Sequence, residues 1–546
     1  MPLREYLILA LLSLALFLPG LTRIPPLDRD EPRFAEASRQ MLATGDFVDI
    51  RFQDEARLKK PIGIYWLQSA SAALLTTPKD NRIWPYRLPS TIGAVIAVLL
   101  TAAIGARLHG RGAAWIAGAM MAASLLLGVE ARLAKTDAVL LATVCAAQLA
   151  LARIYLARGG EPTASRRDAL LFWAALGLGV LVKGPIILMV TGLTAGAVSL
   201  WDRQTRWLRE LKAWPYLMIA LLIVAPWGVA IMLRTHGAFL SEAVGHDLLA
   251  KMAGAQEAHG APPGFFLVTF WATFWPCSFL AGLSLPWIWR NRARPSLRFC
   301  LCWLVPSWIV FELVPTKLPH YTLPLFPAIA LMTAQAVVET PLRRASEDTP
   351  LFRRLVAAAW LVFTGVLCFG LPLLPRLLDH RFDLLATMLG AMAFALFGIA
   401  LFIYRSARQG LALGVLLAGC LVFYGDAYAR VMPQLGSIWL SSRVAHAVES
   451  QKLCPHSIVT STGYSEPSLV FLLGPDTRFG EPKDAADALL HDPCALALVD
   501  KPSLPAFTDQ LTRAGRTPQA LAEIGGINAA RGKRVDLTLF RLKAGS

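Results

Sequence analysis

Charge is what this sequence has little of. Only 16% of its 546 residues are Asp, Glu, Lys or Arg while 55% are hydrophobic, where a soluble domain carries about 25% charged residues. So few charges could not cover the apolar surface of a water-soluble globule, and with a mean hydropathy of +0.50 the chain needs lipid as its solvent. A cleavage pattern is missing too: no small-residue site follows the first apolar stretch, which argues against a signal peptide and leaves an uncleaved first helix. There is no internal repeat and no low-complexity run, and few ionisable residues fall at mid-span. Transporters tend to show both repeats and midplane charges, so these absences count against transport. Cysteine is nearly absent from the polar parts. Of the eight, Cys145, Cys277, Cys300, Cys302, Cys368 and Cys420 lie within or at the edge of apolar stretches as small buried hydrophobes. Cys454 and Cys494 lie in a polar tail, where a disulfide is permitted if that tail is periplasmic.

What is present is a series of apolar runs of spanning length. A bilayer core of about 30 Å asks for about 20 residues per helix. Candidate spans fall near 5–21, 90–106, 113–129, 138–156, 169–183, 185–201, 215–233, 264–286, 299–315, 321–339, 355–375, 383–403 and 410–427. This predicts an α-helical polytopic membrane protein of about 13 transmembrane helices. Lys and Arg mark cytoplasmic loops, and alternate loops carry them: Arg107/Arg111, Arg158/Arg166/Arg167, Arg203/Arg206/Arg209/Lys212, Arg290/Arg292/Arg294/Arg298, Arg343/Arg344/Arg353/Arg354 and Arg405/Arg408. The N-terminus is therefore expected inside and the C-terminal segment outside. This bias accounts for much of the formal charge of +16, so the charge does not imply nucleic-acid binding.

Three outward regions break the pattern: a first loop over 22–89, a loop over 234–263 and the tail from about 430. In the first loop, Phe34, Ala37, Met41 and Leu42 recur at helical spacing and Gly45 is a natural stop. Pro61–Thr77 reads as an interfacial helix with Tyr65 and Trp66. The tail predicts a small α/β domain, with strands at Ser457–Val459, Ser468–Leu473 and Ala495–Val499 and helices at Ala485–Leu490 and Leu504–Gly515. The expected division is a transmembrane domain over 1–428 and a periplasmic domain over 429–546.

The chemistry-bearing residues converge on the outer face. Asp28, Asp30 and Glu31 follow the first span with Arg29 and Arg33 interleaved; helix capping, with Asp30 as N-cap, is the alternative use for the acids. A second outward turn holds Arg132, Lys135 and Asp137, and a third holds Lys317, His320 and Tyr321. Lys59, Lys60, Arg87 and Lys183 lie at the same level. The positive-inside bias works against outward cations, whereas binding a lipid phosphate explains them. Interfacial anchoring would explain single residues but not the set.

The run Asp30-Glu31-Pro-Arg33-Phe-Ala-Glu36-Ala-Ser-Arg39-Gln-Met41-Leu-Ala-Thr-Gly45-Asp46, followed by Lys60-Pro61 and Tyr65-Trp66, resembles the first external loop of the GT-C polyprenyl-phosphate-sugar glycosyltransferases. Within that superfamily it is most similar to the lipid A aminoarabinose (4-amino-4-deoxy-L-arabinose) transferases. Lys317-Leu-Pro-His320-Tyr321-Thr-Leu-Pro324, His259-Gly-Ala-Pro262-Pro-Gly and Ser465-Glu466-Pro467-Ser468 look like further family features.

The resemblance implies inverting transfer of that sugar from undecaprenyl phosphate to lipid A on the outer face of the bacterial inner membrane, a modification tied to polymyxin resistance. It implies Asp30 and Asp137 as the essential carboxylates. Glu31, Arg33, Lys59, Lys60, Arg87, Arg132, Lys135, Lys183, Lys317, His320 and Tyr321 are the expected phosphate and sugar ligands. No cofactor is required. One departure bears on a metal: that branch tends to carry an aromatic and a Glu just before Lys-Pro, whereas this chain reads Arg57-Leu58-Lys59-Lys60-Pro61. A loop metal using that Glu with His259 would lose a ligand to Lys59. The alternatives are a GT-C enzyme moving another sugar to lipopolysaccharide core, glycan or protein, a transporter of lipid-linked sugars, and a receptor working through its tail.

Overall fold

Helices follow the apolar runs, because in lipid a chain satisfies its own backbone only through local hydrogen bonds or a closed barrel. The computed structural model describes residues 1–157, 165–243, 260–339, 350–405, 408–451, 454 and 457–543. Helix α1 (Leu3–Phe17) leads into the first loop, which holds α2 (Asp30–Thr44), a small hairpin of β1 (Arg51–Phe52) and β2 (Glu55–Ala56), and α3 (Gly63–Leu75). There follow α4 (Trp84–Leu108), α5 (Arg111–Ala123), α6 (Leu125–Glu130), α7 (Asp137–Ala157), α8 (Arg166–Lys183), α9 (Ile186–Asp202) and α10 (Ala213–Arg234). Beyond the next loop come α11 (Phe265–Thr273), α12 (Ser278–Asn291) and α13 (Pro295–Leu313). A 3₁₀ turn, Pro319–Leu325, then runs into α14 (Phe326–Glu339), and α15 (Pro350–Asp379), α16 (Leu384–Arg405) and α17 (Gln409–Asp426) complete the bundle.

Eight helices among the described residues are long and apolar enough to cross a membrane by length and composition, rather than the thirteen expected. The chain is thus a multi-span membrane protein. Every expected span meets a helix, but some helices are short, such as α1 with 15 residues and α9 with 17, and two are broken. Ser124 (φ −59°, ψ 126°) interrupts 113–129 between α5 and α6. Pro276, which has no amide to donate, lies between α11 and α12 in 264–286. The two breaks meet. The Leu125 amide donates to the Trp275 carbonyl at 2.9 Å and Ser124 Oγ to the Thr273 carbonyl at 3.2 Å, so each break helps satisfy the other's backbone. The most apolar window of α7 is 72% buried and that running into α14 is 83% buried, against 17% in α10 and 22% in α15. The first pair is the inner layer; the second pair presents apolar surface outward to lipid.

The first loop folds as its periodicity predicts. Phe34, Ala37 and Met41 of α2 are buried, and Gly45 closes the helix in the left-handed region (φ 73°), donating to the Met41 carbonyl at 2.9 Å, as glycine does without a Cβ penalty. Asp30 is not the N-cap: it is the first helical residue, after Arg29 at φ 78°, and no side chain caps the helix. The segment expected as an interfacial helix forms helix α3, in which Tyr65 is fully buried and takes a hydrogen bond from Arg57 Nε at 3.1 Å.

The tail contains α18 (Leu440–Ser450), β3 (Val459–Thr462), α19 (Pro467–Leu473), β4 (Arg478–Phe479), α20 (Pro482–His491), β5 (Leu496–Asp500), α21 (Leu504–Arg513), β6 (Pro518–Asn528) and β7 (Lys533–Leu542). The five strands order as β4-β3-β5-β7-β6, parallel across β4, β3 and β5 and antiparallel across β5, β7 and β6. The expected strand at Ser468–Leu473 is helix α19, started by Pro467, whose missing amide costs nothing at a first turn. Cys454 and Cys494 are joined by a disulfide.

The tail docks on the first loop. Arg39 of α2 donates to the carbonyls of Phe471 (2.9 Å) and Val470 (3.2 Å) near the end of α19, and Gln53 Nε2 to those of Pro475 and Thr477. Asp28 Oδ1 accepts the Ser468 amide at 3.3 Å. Burial pushes the Asp28 carboxyl up to about 7, against the hydrogen bond from Ser468 and with the help of Glu466 nearby. A carboxyl that must be protonated to be buried costs stability once it ionises, so this contact weakens as pH rises from about 4 to about 7. The Asp28→Asn protein is expected to melt higher than wild type at pH 8 and at the same temperature at pH 4 in a detergent melting series. An equal gap at both pH values would refute it.

Candidate active site

Three helix ends and the first loop meet at one site. Asp137 opens α7, where the helix dipole favours a carboxylate, and Lys183 ends α8, where it favours a cation. Gly184, at φ 72°, turns the chain straight after that lysine. Lys183 Nζ lies 2.5 Å from Asp137 Oδ1 and 5.8 Å from the centre of the Tyr321 ring. Lys135, in the turn before α7, lies 3.4 Å from Glu130 Oε1 and 3.9 Å from Asp137 Oδ2. His320 stands between the acids, Nδ1 3.8 Å from Glu130 Oε1 and Nε2 4.0 Å from Asp137 Oδ1. Burial works against the Lys135 charge, but Glu130, Asp137 and Asp30 outweigh it and hold its pKa above the ordinary lysine value.

Beside this cluster opens a cavity of about 720 Å³. Its polar lining is Lys59, Lys60, Asp137, Lys183, His320 and Tyr321; the rest is apolar, with Ile186, Met189, Trp227, Met232, Leu233 and Phe311 among its walls. An apolar channel with a few convergent cations suits an amphiphile with an anionic head. Trp227 Nε1 donates to the Val48 carbonyl at 3.1 Å, tying α10 to the first loop.

Six of the thirteen expected site residues thus line one cavity. Asp30 is exposed at the start of α2, spends no oxygen on capping, and is near enough to act on the charges of Lys135 and Tyr65. Arg33 acts instead on Asp28. Four expectations are corrected. Glu31 and Arg87, each 1% exposed, form a bidentate pair at 2.7 and 2.9 Å. Arg87 also donates to the carbonyls of Leu21, Ile24 and Pro25, while Glu31 accepts the amides of Leu27 and Ala134. Arg132 donates to the carbonyls of Pro19, Gly128 and Leu16 and lies over the Tyr428 ring. Lys317 Nζ donates to the carbonyls of Ala261 and Val314. These donors fasten loops, so they are not aimed at a phosphate. Glu130 was missed from the sequence, although it stands two residues before Arg132 at the end of an apolar run. His259 lies outside the described residues. Lys59 offers a metal no carboxylate, and no group of three or more potential metal ligands occurs among the described residues.

A family model described as dolichyl-phosphate-mannose-protein mannosyltransferase matches residues 59–229. Among solved structures, ArnT from Cupriavidus metallidurans bound to undecaprenyl phosphate superposes with a TM-score of 0.76 at 19% identity, covering 98% of this chain and 97% of that one. This is a GT-C fold of the ArnT type. The Archaeoglobus fulgidus oligosaccharyltransferase is more distantly alike, with a TM-score of 0.52 at 12% identity over 91% of this chain and 69% of that one. In sequence, an undecaprenyl phosphate-alpha-4-amino-4-deoxy-L-arabinose arabinosyl transferase of Pseudomonas paraeruginosa is 29% identical over 340 residues, 60% of this chain. That match spans 59% of the relative's length. A Pseudomonas fluorescens transferase of the same name is 26% identical over 83% of this chain and 76% of its own.

Proposed function

We propose that the protein is an inverting glycosyltransferase that moves 4-amino-4-deoxy-L-arabinose from undecaprenyl phosphate to a lipid A phosphate. The reaction takes place at the periplasmic face of the inner membrane, with the N-terminus cytoplasmic and residues 429–546 periplasmic. The observation that carries this reading is the cavity whose largely apolar wall also includes Lys59, Lys60, Lys183 and Tyr321. A polyprenyl chain fits the wall and its phosphate fits the lysines. The named transferases and the ArnT complex give the reading its donor and sugar.

Negative charge develops on the departing undecaprenyl phosphate as the anomeric bond breaks, and pre-placed cations stabilise it as it builds. Lys59, Lys60, Lys183 and Tyr321 supply that field. Asp137 holds Lys183 in position, and Asp30 faces the sugar and the positive charge at its anomeric carbon. The acceptor attacks the face opposite the phosphate, which inverts the centre.

The test is to incubate the purified chain in detergent with lipid A and undecaprenyl-phosphate aminoarabinose, beside an Asp30→Asn protein, and to look by mass spectrometry for one added aminopentose on lipid A. Transfer by wild type, with at least about 100-fold less by the variant, is expected from loss of a charge at the reacting centre. A folded wild type that transfers nothing would sink the reading.

A further inference from the structure

We infer that His320 is the catalytic base that takes the acceptor's proton, with Glu130 as its positioning residue. The inference rests on the transferase reading above and assigns a role within the same site. Glu130 is 3% exposed and does not line the cavity; it lies behind His320, which does. Its Oε1 faces both Lys135 and His320 Nδ1, and its Oε2 has no partner.

The two nitrogens of His320 therefore face two different carboxylates. A neutral imidazole that keeps its proton on Nδ1, towards Glu130, leaves the lone pair on Nε2, on the side of Asp137, which also lines the cavity. Once Nε2 is protonated, its N–H faces Asp137 Oδ1. Each ring nitrogen has its own carboxyl neighbour, the arrangement a general base needs to be oriented before the step and stabilised after it. The charged groups acting on His320 are Glu130 of α6, Lys135 of the following turn, Asp137 of α7, Lys183 of α8 and Lys60 of the first loop.

Such a base makes the acceptor a stronger nucleophile. A phosphate monoester loses its second proton near pH 6. In a cleft that already holds the anionic donor phosphodiester, a dianionic acceptor is disfavoured, so the acceptor arrives as the monoanion. Asp137 is already engaged by Lys183 at 2.5 Å, whereas a neutral imidazole offers its Nε2 lone pair to that proton. The acceptor's O–H bond breaks and its proton passes to Nε2. The freed oxygen pair forms the bond to the anomeric carbon. The bond from that carbon to undecaprenyl phosphate breaks, and its electron pair leaves with the phosphate.

The test is the pH dependence of single-turnover transfer to lipid A by wild type, His320→Gln, His320→Ala, Glu130→Gln and Glu130→Asp. Without the base, the acceptor attacks as the weaker monoanion or loses its second proton unaided. His320→Gln is then expected to lose about 100-fold in rate at pH 6, the low end of the usual range for a lost general base, and only about threefold at pH 8.5. Added imidazole should restore part of the rate of His320→Ala, and Glu130→Asp should keep more activity than Glu130→Gln. Undecaprenyl phosphate binding by each variant reports folding independently of rate. A His320→Gln protein equally impaired at both pH values, no response to imidazole, or a raised donor KM with unchanged rate would each overturn the inference. A wild type inactive with this substrate pair sinks the transferase reading and this inference with it; an active wild type with an unimpaired His320→Gln sinks this inference alone.

Discussion

Arg87→Ala should unfold the first loop and cost about 3–5 kcal/mol of stability, the usual result of stranding one half of a buried ion pair. Glu31 would keep its two amide donors but lose both guanidinium contacts. The carbonyls of Leu21, Ile24 and Pro25 would lose the donors that hold the chain as it leaves α1. The start of α2 hangs on this pair, and with it Asp30. The single variants Arg87→Ala and Glu31→Gln should therefore melt far below wild type in detergent and also lose transfer. The double change Glu31→Gln with Arg87→Met removes both charges and should recover part of the stability, because no lone ion stays buried. A lysine at 87 should not substitute, since one ammonium cannot match the forked geometry on Glu31 together with three carbonyls. If Arg87→Ala melts like wild type while undecaprenyl phosphate binding falls, Arg87 belongs with the phosphate ligands after all.

That correction marks a limit of sequence reading. An arginine at the outer end of a span looks the same whether its donors point at a lipid phosphate or at the carbonyls of its own loop. Only the path of the backbone distinguishes them, and for Arg87, Arg132 and Lys317 the path brings carbonyls. Lys60, Lys183, His320 and Tyr321 come from three segments far apart in the chain, and their grouping at one cavity was legible because each sits beside an end of an apolar run that the loop charges predict to face outward. Glu130 hid for the same reason. At the foot of a helix it reads as a boundary residue, and its value lies in what stands behind it in space. Helix α2 was plain in the 3.6-residue spacing of Phe34, Ala37 and Met41 and in Gly45. The segment Ser468–Leu473 was not, because a run of mostly apolar residues carries no period. Its deciding signal was Pro467, which starts a helix but cannot donate within a strand. The hairpin of β6 and β7 went unseen although Val535, Leu537 and Leu539 alternate with polar residues, the period-two pattern of a half-buried strand.

Asp137→Asn is expected to lower the transfer rate about 1000-fold, some 4 kcal/mol of barrier, while leaving donor KM unchanged or lower. The sign of the second effect separates the possible roles of this residue. Asp137 now occupies Lys183 at 2.5 Å and stands 3.9 Å from Lys135. Removing its charge frees both lysines to hold the phosphate of the resting donor, so the ground state is stabilised. The departing phosphate gains less, because a lysine already bound tightly has little left to add as charge builds, and catalysis depends only on interactions that strengthen on the way to the transition state. His320 would lose the carboxylate facing Nε2, so the variant should also lose the pH response that separates wild type from His320→Gln. Steady-state rates at several donor concentrations, together with direct binding of undecaprenyl phosphate, measure both quantities. A raised KM with an unchanged rate would instead make Asp137 a ligand of the sugar in its ground state, and Lys183 would then owe its position to the α8 turn rather than to the carboxylate.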